Sequence, residues 1–296
     1  WVIAINGWNS TAVYDGITVS RNEISNCTSI PIVCMNYSRS PNPNFSNLTI
    51  SNNNIHDNDV SNPKTNGHIY NREGQSAGIL VRYDWHNITI SNNTVENNLD
   101  MSGIGIWGVN AGSDITSLSI QGNKLSNNTG SDRYDIGSNY VDPNYLASGI
   151  SVHKNIIDKS SWTINGNSIS GNSMGISYYG EDLAKPTETL GVTCNYWNTD
   201  GETYEYAAIE ALIAGPDSPV TFEPWLVPDP SGDTYHWSGT DTYSCNGQRS
   251  TYEFDYSVPT PIAAAEDVVV PITFQDLVQG SEGYELVRFG FSNDSP

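Results

Sequence analysis

Seven side chains of the kinds that hold or process sugars stand out in this chain: Arg82, Tyr83, Asp84, Trp107, His153, Lys154 and Tyr179. Trp and Tyr offer flat apolar faces with a polar tip, which suits a pyranose ring. Arg82 and Lys154 supply the positive charge that a uronate or sulfate would need. A polysaccharide lyase requires a base beside its substrate's acidic proton and a cation to neutralise the carboxylate, parts that His153, Lys154 and Arg82 could take. A glycosidase requires two carboxylates roughly 5–10 Å apart; Asp84 with Glu181 or Asp182 is the available pair, although they lie far apart along the chain. Neither set is sharp enough to assign a catalytic residue. The plain alternative is a row of ordinary exposed side chains with no ligand.

Whether these residues meet depends on the elements that carry them, and those elements repeat. An apolar–Asn phrase recurs six times, as GITVSRNEI around Asn22, LTISNNNI around Asn53, ITISNNTV around Asn93, LSIQGNKL around Asn123, WTINGNSI around Asn167 and LGVTCNYW around Asn195. The intervals between these asparagines are 31, 40, 30, 44 and 28 residues, yet the phrase keeps its length. The insertions must therefore lie elsewhere, as in a solenoid whose coils are fixed and whose loops are free to grow. Asn tolerates left-handed backbone at a corner, and its amide both donates and accepts. Stacked one per coil at the roughly 4.8 Å spacing of adjacent strands, such amides form a ladder.

A second frame runs between the Asn phrases: PIVCMNY, GILVRYD, GIGIWGV, GISVHKN and GISYYGE, starting at Pro31, Gly78, Gly103, Gly149 and Gly175. Its alternation points Ile32/Cys34, Ile79/Val81, Ile104/Ile106, Ile150/Val152 and Ile176/Tyr178 one way, as in strands with one buried face. Each coil thus holds at least two short parallel strands. The residue after each inward pair should point outward and align from coil to coil, giving a stripe of Met35, Arg82, Trp107, His153 and Tyr179, with Tyr83 and Lys154 beside it. Long loops over 56–77 and 127–148 would wall this stripe and carry His56, His68, Arg72, Glu73, Arg133 and Asp135.

This pattern resembles the right-handed parallel β-helix of pectate lyases and many surface proteins, over about residues 1 to 200. The fold class expected is all-β: a right-handed parallel β-helix solenoid over 1–230, closed by a cap over about 196–230. In the cap, Tyr204 to Ile213 has helical character ended by Gly215-Pro216, and Trp197, Phe222, Trp225 and Leu226 are available to close the core. Residues 231–250 read as a Gly/Ser/Thr-rich linker. Residues 251–296 read as a small β-sandwich-like module of about three strands, too few to stand alone. The chain opens at Trp1 already in strand-like alternation, which suggests removed residues, a fragment, or another chain covering the edge.

Composition narrows the function classes. The chain has 12 Lys+Arg against 33 Asp+Glu and a net charge of −21, which repels nucleic acid. No apolar run approaches the length of a membrane span. NTDGE around Asp200 lacks the spacing of a calcium loop and reads as a turn; no cofactor or metal is expected, with calcium the cation that such acidity would favour. Nine Asn-x-Ser/Thr sequons, at Asn9, Asn26, Asn36, Asn44, Asn47, Asn87, Asn92, Asn127 and Asn293, are glycosylation candidates if the chain is exported. The four cysteines permit three pairings. Cys27–Cys34 would close a short loop and Cys194–Cys245 would tie the last coil to the segment beyond it, while Cys34, at an inward position, also suits a plain buried thiol.

The phrase ISNCTSIPIVCMNYS, the repeat NLTISNNNIHDN and the NYW…PWL cap resemble the β-helix region associated with disaggregatases of methanogenic archaea, over roughly residues 14 to 230. That resemblance implies an extracellular protein acting on, or embedded in, matrix polysaccharide; it carries no catalytic motif onto this chain. Three functions are expected. The first is a structural or adhesive element of an archaeal envelope, a surface-layer, sheath or filament component that self-associates or meets neighbouring envelope proteins. The second is a polysaccharide-degrading enzyme, and the third a non-catalytic glycan-binding module.

Overall fold

In a computed structural model, residues 2–7, 13–36, 45–60, 74–108, 115–130, 133–135, 140–141, 146–153, 159–179, 188–198, 206–214, 219–223, 225–228 and 235–238 are described. They wind into a parallel β-helix with three strands to the coil, one more than the minimum the sequence required. The clearest coil runs Ala77–Arg82, Trp85–Ser91 and Thr94–Glu96. Its strands pair in parallel with those of the preceding coil, Ile32–Asn36, Phe45–Ser51 and Asn54–His56. They pair on the other side with Ser102–Trp107, Ile115–Gln121 and Lys124–Ser126. The first sheet gathers seven strands from Ile3–Gly7 to Ile213–Ala214, and the third gathers eight. The second sheet holds six and breaks after Thr163–Asn165; Leu190–Gly191 and Val220–Thr221 then pair with each other instead.

The passage from second to third sheet is a fixed two-residue corner in five coils, for example between Ser51 and Asn54 or Ser91 and Thr94. The irregular chain lengths all arise at the two borders of the first sheet. Inward side chains form one continuous core, including every member of the five predicted inward pairs, with Leu48/Ile50, Ile88/Ile90 and Leu118/Ile120 from the second sheet and Ile55, Val95, Leu125 and Ile169 from the third. Where the second sheet begins, Tyr14 stacks on Phe45 at 4.6 Å between ring centroids and Phe45 meets Trp85 edge-on at 5.1 Å. Such pairs add to what burial alone contributes.

The glycines that open the second frame are held by close approach. A Cβ on Gly103 would lie 2.7 Å from the Gly149 carbonyl oxygen and 3.2 Å from Leu125 Cδ2, and one on Gly149 would lie 2.6 Å from Ile169 Cγ2. Only a residue without a side chain lets the third-sheet core residue slide beneath the start of the first sheet.

At the far end, the helix is shorter than its sequence pattern, Tyr206–Glu210. Trp197, Phe222, Trp225 and Leu226 are all buried, with Phe222 between the two tryptophans at 6.4 and 6.1 Å. Within the stretch expected as a linker, Tyr235–Ser238 is instead a strand running antiparallel to Trp225–Pro228, so the third sheet ends in a hairpin. Residues 251–296 lie outside the described residues.

Candidate functional site

The six phrase asparagines form one column. Asn53 N–H and Nδ2 both donate to Asn93 Oδ1, at 3.0 and 2.9 Å, and its second Nδ2 hydrogen goes to the Val19 carbonyl at 3.0 Å. The same pattern links Asn22 to Asn53, Asn93 to Asn123, Asn123 to Asn167 and Asn167 to Asn195. Five of the six are buried, and the four inner members, Asn53, Asn93, Asn123 and Asn167, each spend their amide on the coil before and the coil after, so the interior of the ladder is bonded to itself. One detail differs from expectation. The left-handed residue at the corner is the one before each ladder asparagine, namely Arg21, Asn52, Asn92, Gly122, Gly166 and Cys194, with φ between 55° and 65°. That residue turns the chain outward, which leaves the next one pointing in.

A second column was missed. Cys27 N–H donates to Asn58 Oδ1 at 2.9 Å, Asn58 Nδ2 to Asn98 Oδ1 at 2.8 Å, Asn98 Nδ2 to Asn128 Oδ1 at 2.8 Å and Asn128 Nδ2 to Asn172 Oδ1 at 2.9 Å. Each member sits five residues after a member of the first column, a spacing readable in the sequence once the three-residue third-sheet strand between them is recognised.

The sugar-contact candidates do align. Met35 pairs with Arg82, Arg82 with Trp107, Trp107 with His153 and His153 with Tyr179 in neighbouring strands of the first sheet. Exposure is where the expectation fails. Met35 is fully buried, Trp107 is 2% exposed, Arg82 3%, Tyr83 5% and Asp84 6%. With Ile30, Val33, Ala77 and Leu80, the residues Met35, Tyr83 and Trp107 form a second apolar cluster, separate from the main core. The reason is chemical. Val33, Met35, Leu80 and Trp107 give this outer face large apolar groups where the second sheet carries Thr and Ser and the third carries polar and charged residues such as Glu23, His56 and Lys124, and apolar area of that size leaves water.

Beside this cluster, the Arg82 guanidinium lies 4.7 Å from the Trp107 ring and 5.0 Å from that of Tyr83. Its Nη2 donates to Tyr83 Oη at 3.2 Å, and Nη1 stands 3.8 Å from Met35 Sδ. Desolvated cation–π contacts of this kind stabilise by about 2 kcal/mol. Tyr83 has φ 68°, rare for a bulky residue, and its N–H donates to the Trp107 carbonyl at 2.9 Å. Asn36 Nδ2 donates to the Asp84 carbonyl at 3.3 Å. The side chains of His153 and Tyr179 are not among those described, and Lys154, Glu181 and Asp182 lie outside the described residues.

The two loops expected as walls are joined. Gly74–Gln75 pairs antiparallel with Arg133–Asp135, which pairs antiparallel with Tyr140–Val141. His68, Arg72 and Glu73 lie outside the described residues. His56 is not on a wall; it ends the third-sheet strand Asn54–His56. There its Nδ1 is 2.8 Å from Asp57 Oδ2 and its Nε2 3.5 Å from Glu23 Oε1, so the Asp57 hydrogen bond raises the imidazole above its ordinary range. Further along the same sheet, Lys124 Nζ is 2.6 Å from Glu96 Oε2 and holds that carboxyl below its ordinary range.

Cys27 and Cys34 carry free thiols, so the Cys27–Cys34 bridge is not made, while Cys194 is disulfide-bonded and Cys245 lies outside the described residues. The geometry gives the reason: Cys34 points into the core, whereas Cys27 occupies the first place of the second asparagine column. Burial pushes the Cys34 thiol far above its ordinary range, so it is no nucleophile at neutral pH. Among the described residues no group of three or more His, Cys, Asp or Glu is placed to hold a metal ion, and no helix is long and apolar enough to cross a membrane.

The fold and this packed outer face define a parallel β-helix solenoid with internal asparagine ladders. No protein-family model, no curated protein and no solved structure matches the chain.

Proposed function

We propose that this protein is an exported structural or adhesive element of a cell surface, of the archaeal envelope type that the resemblance to disaggregatase-associated β-helices suggests. One observation carries the reading. The aligned Arg82–Trp107 row, the best sugar platform in the sequence, is packed as a second core at 3% and 2% exposure rather than presented to ligand. A rod whose polar ladders and outer aromatic row are both consumed by self-packing is suited to span and to bear load, and its partners are neighbouring envelope proteins, further copies or matrix polysaccharide. The test is surface labelling of intact cells, followed by deletion and measurement of envelope cohesion. A protein that escapes a membrane-impermeant label, or a deletion that leaves cohesion unchanged, would count against it.

A second reading, a polysaccharide-degrading or glycan-binding protein, is favoured by one feature: the strained Tyr83 between the buried Arg82 and Asp84, since strain of this sort collects at working sites. It requires that acidic polysaccharide be cleaved or retained by the purified protein, and that Arg82→Ala lose this while keeping the wild-type circular dichroism spectrum.

A further inference from the structure

The six sequons among the described residues fall into two structural kinds; Asn9, Asn44 and Asn293 lie outside the described residues. Asn26, Asn47, Asn87, Asn92 and Asn127 are all exposed and left-handed, with φ between 53° and 55°; Asn26, Asn92 and Asn127 follow the last residue of a strand, whereas Asn47 and Asn87 lie within Phe45–Ser51 and Trp85–Ser91. In each the left-handed asparagine is followed by one residue turned toward the solenoid and then by a Thr. At Asn47, Asn87 and Asn92 that Thr is Thr49, Thr89 and Thr94, on the outward, partly exposed face of a strand. Asn36 is different. It is fully buried inside the strand Ile32–Asn36, and its Nδ2, the atom a glycan would be attached to, donates to the Asp84 carbonyl.

The left-handed kind arises because the repeat needs an αL residue, an inward residue and an outward residue in that order, and Asn-x-Thr satisfies all three. The same geometry lifts the asparagine amide off the sheet and puts the acceptor amide and the Thr hydroxyl on one outer surface. Both are the groups that sequon chemistry uses. Neighbouring amides make no obstacle. Asn47 Nδ2 donates to Asp15 Oδ1 at 2.6 Å, Asn87 Nδ2 to Asn47 Oδ1 at 3.2 Å and Asn127 Nδ2 to Asn97 Oδ1 at 3.2 Å. All three bonds are exposed, and a glycosylated amide keeps one N–H.

We propose that the exposed left-handed asparagines, Asn87 foremost, are N-glycan attachment sites and that the Asn36 sequon is silent, so that glycans sit on the second sheet and at strand ends and none on the first sheet's covered face. This rests on the proposal that the protein is exported. Glycan transfer forms the bond from Asn Nδ2 to the sugar's anomeric carbon as a lipid-linked sugar donor loses its phosphate leaving group, with the amide proton released.

The test is glycopeptide mass spectrometry of the protein recovered from the envelope of its own cells, beside surface labelling of the same sample. Expected is a sugar mass on the Asn87 peptide that Thr89→Ala removes and Thr89→Ser retains, with the Asn36 peptide unmodified. Occupancy at Asn36 comparable to Asn87, or bare peptides at the left-handed asparagines from protein that takes the surface label, overturns the inference while leaving export standing. Protein that takes no surface label overturns export itself.

Discussion

The first and second sheets are built on the same rungs yet meet different surroundings. In the second sheet, strands such as Phe45–Ser51 and Trp85–Ser91 alternate buried with half-exposed residues, and their outer columns are Thr49, Thr89 and Ser119 beside Ser51, Ser91 and Gln121. In the first sheet, Ile32–Asn36, Ala77–Arg82 and Ser102–Trp107 are buried at every position. A parallel ladder fixes neither outcome. The outer residues decide it: hydroxyls the size of Thr can stay in water, whereas Met35, Leu80 and Trp107 cannot do so in a row. The long insertions show the same asymmetry, because all of them enter or leave the first sheet.

Truncation should expose this difference most directly. Trp107→Ala should cost about 3–5 kcal/mol, as for a core aromatic, whereas Thr49→Ala, outward on the second sheet, should stay within about 0.5 kcal/mol. Denaturant unfolding of the two variants measures the contrast, and equal losses would break it. The asparagine columns are expected to matter on every coil regardless of which outer face they adjoin. Asn93→Ala strands a backbone N–H and a neighbouring amide and should cost roughly 3 kcal/mol, with Asn98→Ala in the second column close behind. A loss below about 1 kcal/mol for both would mean that water replaces the ladder.

Next in size, Gly149→Ala tests the close approach that seats the first sheet on the third. Overpacking there should cost about 1–3 kcal/mol, visible as a lowered Tm, and a neutral result would show that Ile169 can yield. The smallest effect belongs to the open third sheet. His56 has its imidazole raised by Asp57 and Glu23, so its contribution is complete below the ordinary histidine range and is lost as pH rises through the raised value. The stability gap between wild type and His56→Gln should therefore be a few tenths of a kcal/mol at about pH 5.5 and close by about pH 8.5. A gap that widens toward alkaline pH would reverse the assignment.

Much of the solenoid was legible in the residues alone. The invariant spacing around Asn22 through Asn195 defined one column and the inward pairs defined another, because coil stacking forces equivalent residues into register. The second asparagine column was equally present in the sequence but hidden behind a strand only three residues long, too short to show a period. The burial of Arg82 and Trp107 had a signal as well: Ile32-Val33-Cys34-Met35 and Ile79-Leu80-Val81 are unbroken apolar runs, the mark of strands covered on both faces. Reading only their alternation turned half of each run outward into water.

Local sequence determined this protein's repeat, its three-walled cross-section by way of its corners, and the residues that fill its core, since each arises from backbone geometry and side-chain polarity within one coil. Which outer face would be covered, that loop strands 74–75 and 133–135 would pair across an intervening coil, and that Cys27 would head an asparagine column rather than bridge to Cys34 were decided only in three dimensions. Those outcomes depend on contacts between residues tens of positions apart, whose energies no single coil contains.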